Sequence, residues 1–305
     1  MSNATEQEII TLLLGAPLQP GRGLSSPGDD AVEVPGGALV SVDAMVEGIH
    51  FDHRLDASDV GWKLVAVNAS DIGACGRAPT WALLALSVPS GDHQWLSDFA
   101  AGFHSALLHW GVTLQGGDTT RSPGPRVLSL TIGSGPSGPS LTRSGACAGD
   151  DLWVTGALGR SAAGFHYGTP AGLAWLRRPS PPVRFGAALG AAGLPSAMMD
   201  LSDGLAADLS RLCLASGVGA RIDPGALPSD AALAGTPPSE ALSLMTSFGE
   251  DYELLFAAAP SSRRAIASLA AAHGISAQRI GCCLPQGSGI TLGDQQWPDA
   301  RFSHF

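Results

Sequence analysis

Residues 58–88 read SDVGWKLVAVNASDIGACGRAPTWALLALSV, and this stretch decides the fold class. Val60, Leu64 and Val67 recur at helical spacing, so a helix is expected over 58–72, with Ser58 as its N-cap and Gly73 and Gly76 ending it. The apolar run 81–88 is too short for a buried helix and reads as a strand. Outward from this pair the alternation continues. Upstream lie a short amphipathic helix over 6–14, a Pro/Gly-rich loop to Asp30, and a strand over 38–42 that ends at Asp43. Downstream, 93–110 is a helix closed by Gly111, 112–115 leads into Gly116-Gly117-Asp118, and 127–132 alternates as a strand. Residues 133–139, GSGPSGP, have linker composition and divide the chain into domains at 1–138 and 139–305. Past them come a strand over 151–155, a helix over 159–167 and a helix carrying Leu205, Leu209 and Leu212. Strands over 252–257 and 279–284 flank a helix over 261–273. Two α/β (α+β) domains follow.

Composition narrows the function. At 305 residues the chain can bury a sizeable core, and 45% hydrophobic with 14% charged residues is a globular balance. Forty glycines and 22 prolines show no repeat period, so they mark turns rather than a fibre. A net charge of −10 argues against nucleic acid as a partner. The five cysteines (Cys75, Cys147, Cys213, Cys282 and Cys283) include no CxxC pair, which points to reduced thiols in a cytoplasmic setting. No run approaches the roughly 20 apolar residues of a membrane span, and the first ten residues lack the basic region of a signal peptide. The expectation is a soluble, cytoplasmic protein without a membrane partner.

The chemistry lies in the acids. They fall in Gly28-Asp29-Asp30, in Ser41-Val42-Asp43, in Asn68-Ala69-Ser70-Asp71, in Gly116-Gly117-Asp118 and in Asp200-Leu201-Ser202-Asp203-Gly204. Of 17 basic residues only Lys63 is a lysine. Taken singly, each acidic motif has a plain alternative as a solvated turn, and Ser202 or Asp203 could cap the helix that follows. Asp71 is sharper, because Ala, Ile and Gly around it suggest a buried helix end where a carboxylate needs a partner. Carboxylates are hard ligands suited to magnesium, and a helix N-terminus such as that after Gly204 also receives phosphate. Arg143 is a further candidate for phosphate, or a surface arginine in a turn. The P-loop, HRD, DFG, GxSxG and HExxH motifs do not occur.

In order along the chain, GDDAV (28–32), SVDAMVEGIHF (41–51), AVNASDIGACGRAP (66–79), LQGGDTT (114–120), RSGACAGD (143–150), VTGALGRSAAG (154–164), MDLSDGLAADL (199–209) and GEDYELLF (249–256) resemble the thiamine-monophosphate kinase family. That family belongs to a superfamily that includes aminoimidazole-ribonucleotide synthetase. Phe302-Ser303-His304-Phe305 resembles the family's aromatic-x-His-Phe ending. The resemblance implies a two-domain aminoimidazole-ribonucleotide-synthetase-like fold, with an N-terminal sheet-and-helix domain for ATP, metal and dimerisation and a C-terminal α/β domain completing the site. It implies the last step of thiamine diphosphate synthesis: in-line transfer from ATP to thiamine monophosphate with several Mg2+ ions, no phosphoenzyme and no residue as general base. By motif match, the metal ligands would be Asp30, Ser41, Val42, Asp43, Asp71, Asp118, Asp200 and Asp203. Gly117, Asp118, Arg143 and Ser202 would contact ATP, and His50, Glu250, Asp251 and Phe302 would face the thiamine substrate. A homodimer joined through N-terminal-domain strands is also implied.

Three departures matter. Val42 stands where many relatives carry Thr, so a metal contact there would use the main-chain carbonyl. Phe302 replaces a frequent Trp, and Gly28 follows Ser-Pro rather than the more usual Gly-Ile. Among related enzymes, selenophosphate synthetase would need an N-terminal Cys or selenocysteine with a nearby Lys. The hydrogenase-maturation dehydratase would need a C-terminal Cys, and aminoimidazole-ribonucleotide synthetase would not carry VEGIHF. A nucleotide-binding regulatory module without catalysis is the alternative from another class, and the intact acid set argues against it.

Overall fold

The computed structural model describes residues 6–15, 24, 28–136, 138 and 140–298. The first half contains helices α1 (Glu6–Leu14), α2 (Ala57–Ala74) and α3 (His93–Trp110). Its strands are β1 (Val32–Glu33), β2 (Leu39–Val46), β3 (Pro79–Val88), β4 (Thr113–Arg121) and β5 (Val127–Ser134), in the order β1-β2-β5-β3-β4. Only the β3–β4 pair is parallel. Alternation along the strands puts Leu39, Met45, Ala82, Leu128, Leu130 and Ile132 under α2 and α3, where they form one core. The opposite face is open: Val42 is 61% exposed and Leu83 41%.

The second half contains α4 (Arg160–Tyr167), α5 (Pro170–Arg177), α6 (Val183–Ala192), α7 (Leu205–Ser216), α8 (Pro238–Ser247) and α9 (Arg263–His273). Its sheet is built from β6 (Asp151–Thr155), β7 (Ala197–Asp200), β8 (Gly219–Ile222), β9 (Leu254–Ala258), β10 (Ala277–Leu284), β11 (Ile290–Leu292) and β12 (Gln295–Gln296). The order is β12-β11-β8-β10-β6-β9-β7. Both faces are covered, one by a core that includes Leu205, Leu209 and Leu212 of α7, the other by Phe185, Leu189 and Ile266 of α6 and α9.

Helix α2 is shared between the halves. Fifteen of its 18 residues are buried, so it has no solvent face of the usual width. Glycines allow its neighbours to come close. A Cβ on Gly102 of α3 would stand 1.8 Å from the Ser58 carbonyl oxygen, and one on Gly186 of α6 would stand 2.3 Å from the Gly73 carbonyl oxygen. The first contact joins α2 to its own half and the second joins it to the other.

Several local expectations are corrected. Asp56, not Ser58, caps α2, accepting the Asp59 amide at 2.8 Å. Strand β2 continues through Asp43 to Val46, and β4 runs through Gly116-Gly117-Asp118, so neither acid stands at a strand end. Gly133 and Ser134 belong to β5, and beyond it Arg77 donates to the Gly138 carbonyl (2.7 Å) and to Ser140 Oγ (2.6 Å), as it does to the Gly37 carbonyl (2.6 Å) before β2. Among the described residues, no helix is long and apolar enough to cross a membrane.

Gly102→Ala should destabilise the protein by about 2 kcal/mol or more, because backbone must move to admit the methyl. Gly91→Ala, where an added methyl meets nothing within 4 Å, should be near neutral. Urea denaturation of both variants checks this, and equal midpoints would contradict the helix contact.

Candidate active site

Strand β2 lies along the C-terminal part of α2. Ser41 Oγ donates to Asp71 Oδ2 at 2.6 Å, and the Asp43 amide donates to Asn68 Oδ1 at 3.0 Å. Asn68 is fixed in turn by its own bond to the Leu64 carbonyl at 2.8 Å. One residue before Asp71, Ser70 Oγ donates to Asp200 Oδ2 at 2.6 Å, at the end of β7 in the other half. The 28–30 loop closes on the same place through Arg143, whose amide bonds Asp29 Oδ1 at 2.6 Å and whose guanidinium pairs with Asp30.

The charges in this cluster are poorly matched. Asp200 is buried; removal from water and then the charge of Asp30 push its carboxyl well above the ordinary range, against the bond from Ser70. Asp71 keeps some contact with solvent, yet the protein packed round its carboxyl raises it strongly, followed by the charges of Asp43, Asp200 and Asp30. Burial works against the Arg143 charge, but Asp30, Asp200 and Asp208 more than offset it and hold the guanidinium protonated. Asp203 pairs with Arg211 at 2.5 Å, beside Asp208, which burial pushes up to about 7.

These oxygens suit a hard divalent cation. Among the described residues, no three acid, His or Cys groups are arranged to hold an ion by themselves. Magnesium does not require that, since it commonly takes one or two carboxylates and fills its octahedron with phosphate oxygens and water. Asp30, Ser41, Asp43, Asp71 and Asp200 are the groups in position to contribute.

A strained loop borders the cluster. Glu250 (φ 69°) and Tyr252 (φ 50°) are the described non-glycine residues with left-handed backbone, two positions apart. Their amides donate to the carbonyls of Ser202 (2.8 Å) and Leu201 (2.9 Å), so the loop follows the Asp200–Gly204 segment. The Glu250 carboxylate pairs with Lys63 of α2, whose side chain is only 3% exposed. The single lysine therefore ties the two halves together at the edge of the site. Burial and then the negative charges of Glu250, Asp43, Asp200 and Asp203 push the Tyr252 phenol well above its usual range.

The structure separates residues that the sequence groups together. Asp251 does not accompany Glu250 toward the cleft: it is buried, and its oxygens accept the amides of Gly159 (2.8 Å) and Ser161 (3.3 Å) at the start of α4. Burial holds its carboxyl up at about 7. Neither Ser202 nor Asp203 caps α7; Gly204, at φ 101°, takes the N-cap position without a side-chain bond. His50 is half-buried, and its Nδ1 accepts the Val46 amide at 3.0 Å. Phe302 lies outside the described residues.

Asp118 stands furthest from expectation. Strand register aligns Asp43 with Leu130, Leu84 and Gly117 across β2, β5, β3 and β4. Three strand spacings put the Gly117 backbone about 14 Å from Asp43. Asp118 aligns with Ala85 and Ser129 on the open face, whereas Ser41 and Asp43 share the face toward α2. Gly117 belongs to a tight strand pair, where a Cβ would lie 1.9 Å from the Leu84 carbonyl oxygen. Ser70, Asn68, Lys63 and Tyr252 are site residues that motif reading did not assign. Their contacts cross between sequence-distant segments, and no local pattern carries that information.

The raised carboxyls make a pH prediction. In metal-free protein, Asp71 and Asp200 retain protons that the unfolded chain releases near the ordinary value of about 4, so stability falls as pH rises above it. Melting temperature in chelator should decline between about pH 5 and 8, and Asp71→Asn should flatten the decline. An equal slope in the variant would count against the crowding of charge.

Comparison with known proteins adds to this geometry. Residues 28–135 match the family model "AIR synthase related protein, N-terminal domain", and residues 148–291 match its C-terminal counterpart. The thiamine-monophosphate kinase of Salmonella typhimurium is 41% identical over 246 residues, covering 74% of this chain and 73% of the relative. A solved thiamine-monophosphate kinase from Stenotrophomonas maltophilia superposes with a TM-score of 0.79 at 35% identity, covering 89% of this chain and 90% of that one. AaThiL, solved in complex with AMPPCP and TMP, superposes with a TM-score of 0.85 at 26% identity, covering 100% and 99%.

Proposed function

We propose a reaction for this chain, which belongs to the AIR synthase related proteins and, within them, to the thiamine-monophosphate kinases. It is an ATP-dependent phosphotransferase that converts thiamine monophosphate to thiamine diphosphate. The observation that carries the reading is the under-compensated carboxylate cluster of Asp30, Asp43, Asp71 and Asp200, shared by both halves and bordered by the strained Glu250 loop. Such a cluster is unfavourable unless cations enter it with the anionic substrates. Magnesium, when bound, would supply positive charge to the transferring phosphoryl group and its flanking oxygens.

The metal would be held by Asp30, Ser41, Asp43, Asp71, Asp200 and Asp203, with the Val42 carbonyl as a further donor. Arg143 and Ser202, beside the N-terminus of α7, would hold the nucleotide phosphates. His50 and Glu250 would face the acceptor, with Phe302 as its aromatic partner. Asp251 serves by fixing α4 against the loop. The acceptor is already a phosphate anion, so no side chain has to remove a proton, and the site's task is alignment. We assign 1–138 and 139–305 as the two domains and the cytoplasm as the setting, in keeping with five cysteines free of disulfides.

Asp118 and Gly117 fit this scheme through a second copy. They lie on the exposed edge strand β4, beside the open apolar face that carries Val42 and Leu83. Two copies joined through these faces would cover that apolar surface, and each could lend its Asp118 to the other's cluster. The site is thus a homodimer's, with Gly117 and Asp118 completing the nucleotide and metal contacts.

Incubation with ATP, Mg2+ and thiamine monophosphate should yield thiamine diphosphate and ADP in equal amounts; nucleotide binding with no diphosphate formed would refute the reading. Asp43→Asn and Asp118→Asn should each lower turnover by orders of magnitude. Co-expressed with separate tags and purified as mixed dimers, the two variants should recover up to about half of wild-type activity, since one of the two sites is then intact. No recovery in verified mixed dimers would place both residues in one chain's site.

A further inference from the structure

We propose that Phe165 and Phe248 form the ring-binding wall of the acceptor pocket and set the affinity for the flat, cationic acceptor; this rests on the kinase reading above. Phe165, on α4, is 44% exposed, a large aromatic surface left to solvent. It is nevertheless held in place. Its ring centroid lies 5.4 Å from that of Phe248, and the Arg54 guanidinium lies 4.2 Å over it. Arg54 is fixed in turn by a two-pronged pair with Asp52, Nε to Oδ1 at 2.9 Å and Nη2 to Oδ2 at 2.8 Å. That pairing leaves the arginine little net charge with which to repel a cationic ligand.

The position of the pair matters as much as its rigidity. Phe248 immediately precedes Gly249-Glu250, and its carbonyl oxygen lies 2.8 Å from where a Cβ on Gly204 would stand. The wall therefore adjoins both the strained loop and the N-terminus of α7. Arg54 reaches it from the segment that follows His50, and lies within electrostatic range of Glu250. Aromatic rings beside a carboxylate are the surroundings that a positively charged heteroaromatic ring selects, by stacking and by cation–π attraction. A fixed aromatic surface also binds with less loss of side-chain freedom.

The test is steady-state kinetics with calorimetric binding of thiamine monophosphate. Phe165→Ala and Phe248→Ala should each raise the KM and Kd for thiamine monophosphate about tenfold, with the KM for ATP and kcat within about twofold of wild type. Phe165→Trp should keep wild-type affinity. Phe165→Leu, which preserves apolar bulk without a ring, should still weaken binding several-fold and guards against a loss caused by poor folding. An unchanged KM and Kd for the acceptor in the alanine variants, or an equal rise in the KM for ATP, would overturn the wall. Absence of turnover in the wild type would instead overturn the kinase reading, and the binding measurement would still decide the role of the rings.

Discussion

The structure depends on two neighbouring residues of one helix bonding partners from different directions, Ser70 a carboxylate and Asp71 a hydroxyl. Adjacent residues on an α-helix point about 100° apart. Ser70 can therefore reach Asp200 at the end of β7 while Asp71 receives the Ser41 hydroxyl from β2. This works only if α2 lies between both halves. Its burial, the close approach of α3 at Gly102 and that of α6 at Gly186 all serve that placement. The halves then meet along a line of acids that repel one another.

Repulsion of this kind is stored at a site rather than relieved within the fold. Arg143 answers Asp30, Arg211 answers Asp203, and Lys63 answers Glu250, but Asp71 and Asp200 have hydroxyl donors as their described hydrogen-bond partners. Hydroxyl bonds stabilise a carboxylate less than a cation does. The cluster therefore favours an arriving positive charge. A triphosphate brought in with metal ions supplies that charge, together with the anions the ions must bridge. The lone lysine marks the contrast with a P-loop enzyme: its ammonium joins two halves of the protein and does not lie in a phosphate-binding loop.

Much of this was legible in the sequence, for reasons that can be traced. Val60, Leu64 and Val67 announce α2 because its core positions keep helical spacing, and the acids around it carry recognisable spacing. What escaped depends on contacts between distant segments. Asp56 displaces Ser58 as the cap because either residue type can cap, and only the chain's approach chooses between them. Strand β4 runs through Gly116-Gly117 because pairing to β3 outweighs the turn preference of glycine. Glu250 and Asp251 look equivalent as letters, but opposite sides of a left-handed turn send one toward Lys63 and the other beneath α4. The family resemblance assigned Asp118 as a ligand, while the sheet register sets it on the far face of the same chain.

Magnesium titrated into the metal-free protein, in buffers of different ionisation enthalpy, tests the cluster most directly. If Asp71 and Asp200 hold protons until a cation displaces them, binding at neutral pH releases protons, and the release shrinks in Asp71→Asn and shrinks further in the Asp71→Asn, Asp200→Asn double variant. Proton-neutral binding in the wild type, or a release unchanged in the double variant, would contradict the account.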